Sequence, residues 1–276
     1  VSIASGSILS GGITVSAGSI KLDDTGTLAS TVSMSGGVLD ADNSLTVSGA
    51  LTHTGNIEID VAETKTLTYS GTAISVGSNT MTLTGGGTLM SGGLDLNNAD
   101  SKLLLNSITV DSVSTTIDNS LGVDVDNDST ITSFSVANIT PVSIASGKIL
   151  SGGITVSAGS IKLTEAGTLA STISMSGGVL DADESSTVSG ALSHTSDITI
   201  DVAETKTLTY SGSAISVGAN TLTLSGGGSL VSGGLTLNDP SSKLLLNSIT
   251  VDNVSTTSYS LGLDIDADST VTSLSV

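Results

Sequence analysis

The sequence predicts an all-β chain wound into a single continuous parallel β-helix, a β-solenoid, and three observations carry that reading. Short runs alternate apolar with Thr, Ser or Asp and are broken by glycine, as in Thr80 to Asn97, TMTLTGGGTLMSGGLDLN. Alternation at period two marks a half-buried strand, and Gly-Gly between runs marks a tight bend. The whole pattern then returns 141 residues later. Finally, aromatic residues make up 1% of the chain against 37% hydrophobic residues and 33 glycines. Such a core is aliphatic and narrow, which suits stacked Val, Ile and Leu better than a thick globule.

The long repeat is plain. VSIASG at Val1 recurs at Val142, and ITVSAGSIKL, SMSGGVLDAD, DVAETKTLTYSG and SKLLLNSITVD all recur at the same spacing. A one-residue deletion, where Ile117-Asp118-Asn119 meets Ser258-Tyr259, shortens the offset to 140 thereafter. The units are residues 1–141 and 142–276.

A shorter repeat lies inside the long one. A strand-bend-strand-bend-strand unit cannot bury its apolar face alone, so it needs a copy on each side. Bends divide the first unit into seven coils beginning near Val1, Ile20, Val38, Ile57, Thr80, Leu103 and Leu121, each 18–23 residues long. The second begins its coils near Val142, Ile161, Val179, Ile198, Thr221, Leu244 and Leu261. Each coil holds about three short strands, giving a triangular section. Coils rise about 4.8 Å each, so fourteen span on the order of 65 Å. Stacking is expected to place Val1/Ile3 under Ile20/Leu22, and further along Ile57/Ile59, Met81/Leu83, Leu103/Leu105 and Leu121/Val123. Parallel crossovers favour a right-handed winding. Longer coils carry extra polar residues at Asp60–Lys65 and Asn97–Lys102, expected as outward loops. Ala137–Pro141 is too short for a linker, and its proline fits a bend between coils, so the units are expected to stack without a break. Val1 already lies in a strand pattern, as in a piece of a longer array.

Composition narrows the function classes. The chain has 26 acidic residues, seven lysines, no arginine and a formal charge of −19. Without arginine or stacking aromatics, nucleic acid is not an expected partner. The anionic surface disfavours acidic membranes, and no apolar run reaches the ~20 residues of a membrane span, so no membrane insertion is expected. Cysteine is absent, which fits an exported fibre without establishing one.

Thr80–Asn97 and its counterpart Thr221–Asn238, TLTLSGGGSLVSGGLTLN, are similar to the passenger-associated repeat of bacterial β-helical surface proteins, the autotransporter passengers and filamentous-haemagglutinin-like adhesin stalks. In that repeat an Asn and a Tyr usually stand between the two turns; here Gly87-Thr88-Leu89 and Gly228-Ser229-Leu230 do. The resemblance covers two of fourteen coils. It implies an extracellular or cell-surface stalk or fibre of bacterial origin.

Asp124, Asp126 and Asp128, and again Asp264, Asp266 and Asp268, have the D-x-D-x-D spacing of calcium loops. On a strand the same spacing points carboxylates outward while Val123/Val125 or Leu263/Ile265 point inward. Ser129 and Ser269 stand where a calcium loop has glycine, so a solvated face and a calcium site both stay open. Asp23, Asp40/Asp42 and Glu58/Asp60 should fall on neighbouring coils of one face, where like charges repel and a divalent ion could relieve them. The second copy keeps Asp181, Asp183 and Asp201 but has Thr164 and Thr199.

His53 and His194 are equivalent and have no Cys or second His nearby, which fits an outward strand residue better than a ligand. Tyr69 and Tyr210 read as surface or edge residues. No serine has a paired base in view, and no basic or aromatic groove serves polysaccharide chemistry, so no catalysis is expected. Thr-x-Thr runs at Thr66/Thr68, Thr80/Thr82/Thr84 and Thr207/Thr209 invite an ice-binding array, but most coils lack the motif and β-propensity explains it. Two roles remain. One is a structural segment of a long fibre whose partners are copies of itself or neighbouring repeats end to end, with lateral bundling. The other is an adhesin module that recognises a glycan or protein through loops near Glu63/Lys65 and Asn97–Lys102, repeated at Glu204/Lys206 and Asn238–Lys243.

Overall fold

A computed structural model describes residues 1–257 and 259–276. The only sequence feature touching the remaining position is the one-residue deletion beside Ser258. The described chain is all strand and bend with no helix, and every strand pairing given is parallel. It is a β-solenoid of about three strands per turn. It divides into two compact units, Val1–Ser135 and Val136–Val276.

In the first unit one face is built by Ser19–Leu22, Val38–Ala41, Ile57–Val61, Thr80–Thr84, Lys102–Asn106 and Gly122–Asn127, stacked in that order. Each rung then turns twice. Thr80–Thr84 is followed by Thr88–Met90 on a second face and Leu94–Leu96 on a third. These are the three runs read from the sequence, and Met81, Leu83, Leu89, Leu94 and Leu96 are all buried. In the next rung a single strand, Thr109–Thr115, covers both remaining faces by pairing with Thr88–Met90 and Leu94–Leu96.

The core is a set of vertical aliphatic columns. One runs Ile20, Leu39, Ile59, Leu83, Leu105, Val125, each in register with the next. Burying each such side chain contributes about 1.5–3 kcal/mol. The second unit has seven rungs on the corresponding face, and its column runs Thr140, Ile161, Leu180, Ile200, Leu224, Leu246, Ile265.

The strand positions follow the sequence reading, but the stack has about thirteen turns where fourteen coils were expected, and the register departs from that reading in places. Asp23 donates its backbone N–H to the Val1 carbonyl and Gly26 donates to Ile3, so Val1 lies beside Leu22 and Ile3 falls two positions further on. No strand forms at residues 1–3, leaving six stranded rungs on that face in the first unit. In the second unit Thr140 and Val142, not Val142 and Ile144, lie under Ile161 and Leu163. Leu121 is 55% exposed. Val123 and Val125 occupy the core positions above Leu103 and Leu105, because the strand begins at Gly122, whose φ of 81° sets the bend. Pro141 is not in a bend: it lies within Ile139–Ile144, in register with Lys162.

Gly37 shows why glycine recurs at the corners. Its φ is +88°, and a Cβ there would sit 2.3 Å from the Gly18 carbonyl oxygen of the rung below. A left-handed backbone and rung-to-rung contact both exclude a side chain. Gly178 repeats the arrangement, at 2.5 Å from the Gly159 oxygen.

Candidate functional site

The outward side of the face just described carries the chain's densest charge. Lys21 is in register with Asp40, and Asp40 with Asp60, so one column sets a cation beneath two of the acids that the sequence places together. Lys21 Nζ lies 2.5 Å from Asp42 Oδ2 and 3.7 Å from Asp40 Oδ2. In the second unit Lys162 Nζ lies 3.1 Å from Asp181 Oδ2 and 2.8 Å from Asp183 Oδ2. The repulsion that could have called for a divalent ion is met here by lysine. The hydrogen bond that Lys21 donates to Asp42 holds its ammonium above its ordinary range, and the one that Lys162 donates to Asp183 does the same. Burial raises the Asp181 carboxyl above the usual range against the pull of Lys162, and burial likewise raises Asp40 against Lys21. Above these pairs Thr84 donates to Glu58 Oε1 at 2.9 Å, and Ser225 donates to Asp201.

The two D-x-D-x-D runs alternate as a strand requires. Asp124 is half-buried and pairs with Lys102 of the preceding rung at 2.7 Å, while Asp126 and Asp128 are exposed. Asp264 pairs with Lys243 at 3.0 Å, and Asp264, Asp266 and Asp268 are exposed. Among the described residues no three His, Cys, Asp or Glu side chains gather where they could hold a metal ion. Ser129, at the position of a calcium loop's glycine, turns inward instead. Its Oγ accepts from Ile108 N at 3.3 Å and donates to the Asn127 carbonyl at 2.8 Å. Ser269 does the same with Ile249 and Ala267 at 3.2 and 2.9 Å.

The histidines bind backbone. His53 Nδ1 lies 3.1 Å from the Gly55 carbonyl oxygen and Nε2 lies 2.8 Å from that of Ser75, one rung on. His194 meets Ser196 and Ser216 at 3.0 Å each. Both ring nitrogens thus face backbone carbonyl oxygens, and a neutral ring donates its one N–H to one of them.

The tyrosines depart from the surface reading. Tyr69 is 6% and Tyr210 4% exposed, and each hydroxyl accepts a backbone N–H from the rung below, buried Leu51 at 3.3 Å and half-buried Leu192 at 3.1 Å. The hydroxyl end of the ring packs against Gly71, where a Cβ would come within 2.2 Å of the Tyr69 hydroxyl, which accounts for the Tyr-Ser-Gly sequence.

Asp111 is a further residue the sequence did not single out. Its carboxylate accepts from Ser91 N, Ser91 Oγ and Gly92 N at 3.0 Å and from Ser112 N at 2.8 Å, fastening the bend of the rung below. Asp252 repeats the contacts with Ser232 at 2.8 and 3.1 Å. A serine-glycine-glycine bend followed about twenty residues later by a strand aspartate was the available signal.

The predicted outward loops are smaller than their sequences suggest. Val61 is buried and Ala62 bridges Gly86, so only Glu63 and Thr64 project fully. Ser101 is fully buried, its hydroxyl donating to the Gly77 carbonyl at 2.6 Å. Beside the equivalent corner of the second unit a groove of about 450 Å³ is lined by Glu204, Gly226, Gly227, Asn247 and Ser248. Threonines line up across rungs on the second face, Thr27 with Thr46 and Thr68, and Thr66 with Thr88 and Thr109. They form staggered single columns rather than a continuous pair. No family model, curated protein or solved structure matches the chain.

Proposed function

We propose that the chain is a structural, non-catalytic segment of a long extracellular fibre or adhesin stalk, built from β-solenoid repeats. The supporting observation is where its polar chemistry goes. Lys21, Lys102, Lys162 and Lys243, Asp111 and Asp252, both histidines, and Tyr69 and Tyr210 tie one rung to the next, so the fold's own cohesion uses them. Resemblance of Thr80–Asn97 to the passenger-associated repeat supports a bacterial surface location. Its partners on this reading are further copies of the repeat, end to end, with lateral bundling. Negative-stain microscopy tests the reading: thin rods of about 65 Å per chain, or multiples of that, support it. Compact particles of globular dimensions would overturn it.

A second reading, an adhesin that binds a glycan or protein through its corner loops, draws on the groove beside Glu204. A glycan array probed with wild type and with Glu204→Ala/Asn247→Ala separates the two. Binding lost in the variant favours the adhesin, and its absence from both favours the scaffold.

A further inference from the structure

One bend differs chemically between the repeats while keeping its geometry. In the second unit Asp239 N donates to Ser242 Oγ at 2.9 Å, Ser242 N donates back to the Asp239 carbonyl at 3.0 Å, and Ser241 N donates to Asp239 Oδ1 at 2.8 Å. Ser242 is fully buried and its hydroxyl donates to the Gly218 carbonyl, which pins the turn to the rung below. The first unit builds the same turn from Asn98, with Ser101 Oγ at 2.9 Å from Asn98 N, Ser101 N at 2.9 Å from the Asn98 carbonyl and Asp100 N at 3.0 Å from Asn98 Oδ1. What changes is the pair at its start: Asn98-Ala99 in the first copy, Asp239-Pro240 in the second.

We propose that Asp239–Pro240 is a self-cleavage site, at which the folded turn brings Asp239 to cut its own peptide bond to Pro240 in mild acid. The components of the step are all in place. The Asp239 carbonyl accepts the Ser242 N–H, which polarises its carbon, and the Ser241 N–H fixes the carboxyl group on that turn. Proline nitrogen is a tertiary amide and leaves as a secondary amine, more basic than the primary amine released at an ordinary peptide bond. A side-chain carboxyl oxygen of Asp239 adds to the Asp239 carbonyl carbon. The C–N bond to Pro240 then breaks, with the carboxyl proton passing to the proline nitrogen. This leaves a five-membered cyclic anhydride on Asp239 and a free amino terminus at Pro240. Water opens the anhydride to a side-chain carboxyl and a new terminal carboxyl, so the net reaction is peptide hydrolysis. Pro240 is exposed, so water has access. The attacking and attacked groups belong to one residue and are neighbours even in the unfolded chain; what the folded turn adds is a fixed orientation of both.

The test is intact-mass analysis of the 276-residue chain held at about pH 4, within the ordinary carboxylate range, and quenched into denaturant. Fragments Val1–Asp239 and Pro240–Val276 are expected, forming on the order of tenfold faster from folded chain than from chain in urea at the same pH. Asp239→Asn and Pro240→Ala should abolish them, and Asn98–Ala99 should stay intact. Ser242→Ala should bring the folded rate down to the urea rate while leaving the urea rate unchanged. No fragments from the folded chain, a urea rate equal to or above the folded one, scission surviving Pro240→Ala, or an unchanged folded rate in Ser242→Ala would each overturn the proposal.

Discussion

Asp111→Ala should open the fifth rung of the first unit from its neighbour. The carboxylate serves four donors, but they differ in what they lose. Gly92 is exposed and Ser112 half-exposed, so water replaces the aspartate at both. Ser91 is fully buried, and it loses partners for its N–H and its hydroxyl together. Two buried donors left without acceptors, at about 1–3 kcal/mol each with some relaxation, put the loss at roughly 2–4 kcal/mol. Stacked rungs need not unfold in one step, so hydrogen exchange at Leu89 through Leu96 is the sharper assay, read beside urea unfolding. Ser91→Ala alone removes only the hydroxyl, which also accepts from Gly93 N at 3.2 Å, and should cost about 1–2 kcal/mol. Combined with Asp111→Ala it should add less than its full single effect, because the two share a bond. A loss under about 0.5 kcal/mol for Asp111→Ala, or strict additivity of the pair, would refute the reasoning.

Other perturbations follow from the same contacts. Lys162→Met leaves Asp181 and Asp183 without their cation and should cost about 1 kcal/mol at neutral pH in urea melts. The folded Lys162 value lies above its ordinary 10.5, so its contribution is intact below that pH and is lost as pH rises through the folded value; the gap between wild type and variant should close there. The Asp181 and Asp40 carboxyls are raised, so the folded chain holds their protons longer than the unfolded chain does. Stability should therefore fall as pH climbs from 3.8 through their folded values, and Asp40→Asn/Asp181→Asn should flatten that segment of a pH series. Tyr69→Phe strands the Leu51 N–H and should lower stability by about 1–2 kcal/mol, and Gly71→Ala should cost at least as much by displacing the ring. Ser120 is 2% exposed and its hydroxyl has no partner among the described residues, so Ser120→Ala should be neutral or stabilising by up to about 1 kcal/mol.

Much of the architecture was legible in the sequence because inside and outside alternate strictly. Met81, Leu83, Leu89, Leu94 and Leu96 read as inward and are inward. Vertical register was harder to read. Sliding one strand past another by two residues preserves the alternation, so periodicity cannot distinguish Val1 beside Ile20 from Val1 beside Leu22. Ile57–Val61 shows how the offset arises: it offers three inward residues, pairing Ile59 and Val61 with the rung below but Ile57 and Ile59 with the rung above. The polar ties were illegible for a related reason. Asp111 and Ser91, or His53 and Ser75, stand about twenty residues apart and meet only once that register is set. Leu121 misled because an apolar residue beside glycine looks like a strand start, whereas the glycine's bend comes first. Tyr69 and Tyr210 read as surface or edge residues, and the bare backbone of Gly71 makes room for the Tyr69 ring inside.

The central claim, parallel rungs stacked in this register, is tested most directly by paired cysteines in a chain that has none of its own. Asp40 and Asp60 are directly opposed, so Asp40→Cys/Asp60→Cys should oxidise readily to an intrachain disulfide. Asp40→Cys/Glu58→Cys, two positions out of register, should stay reduced under the same conditions. Rapid bridging of the second pair, or failure of the first, would contradict the stack.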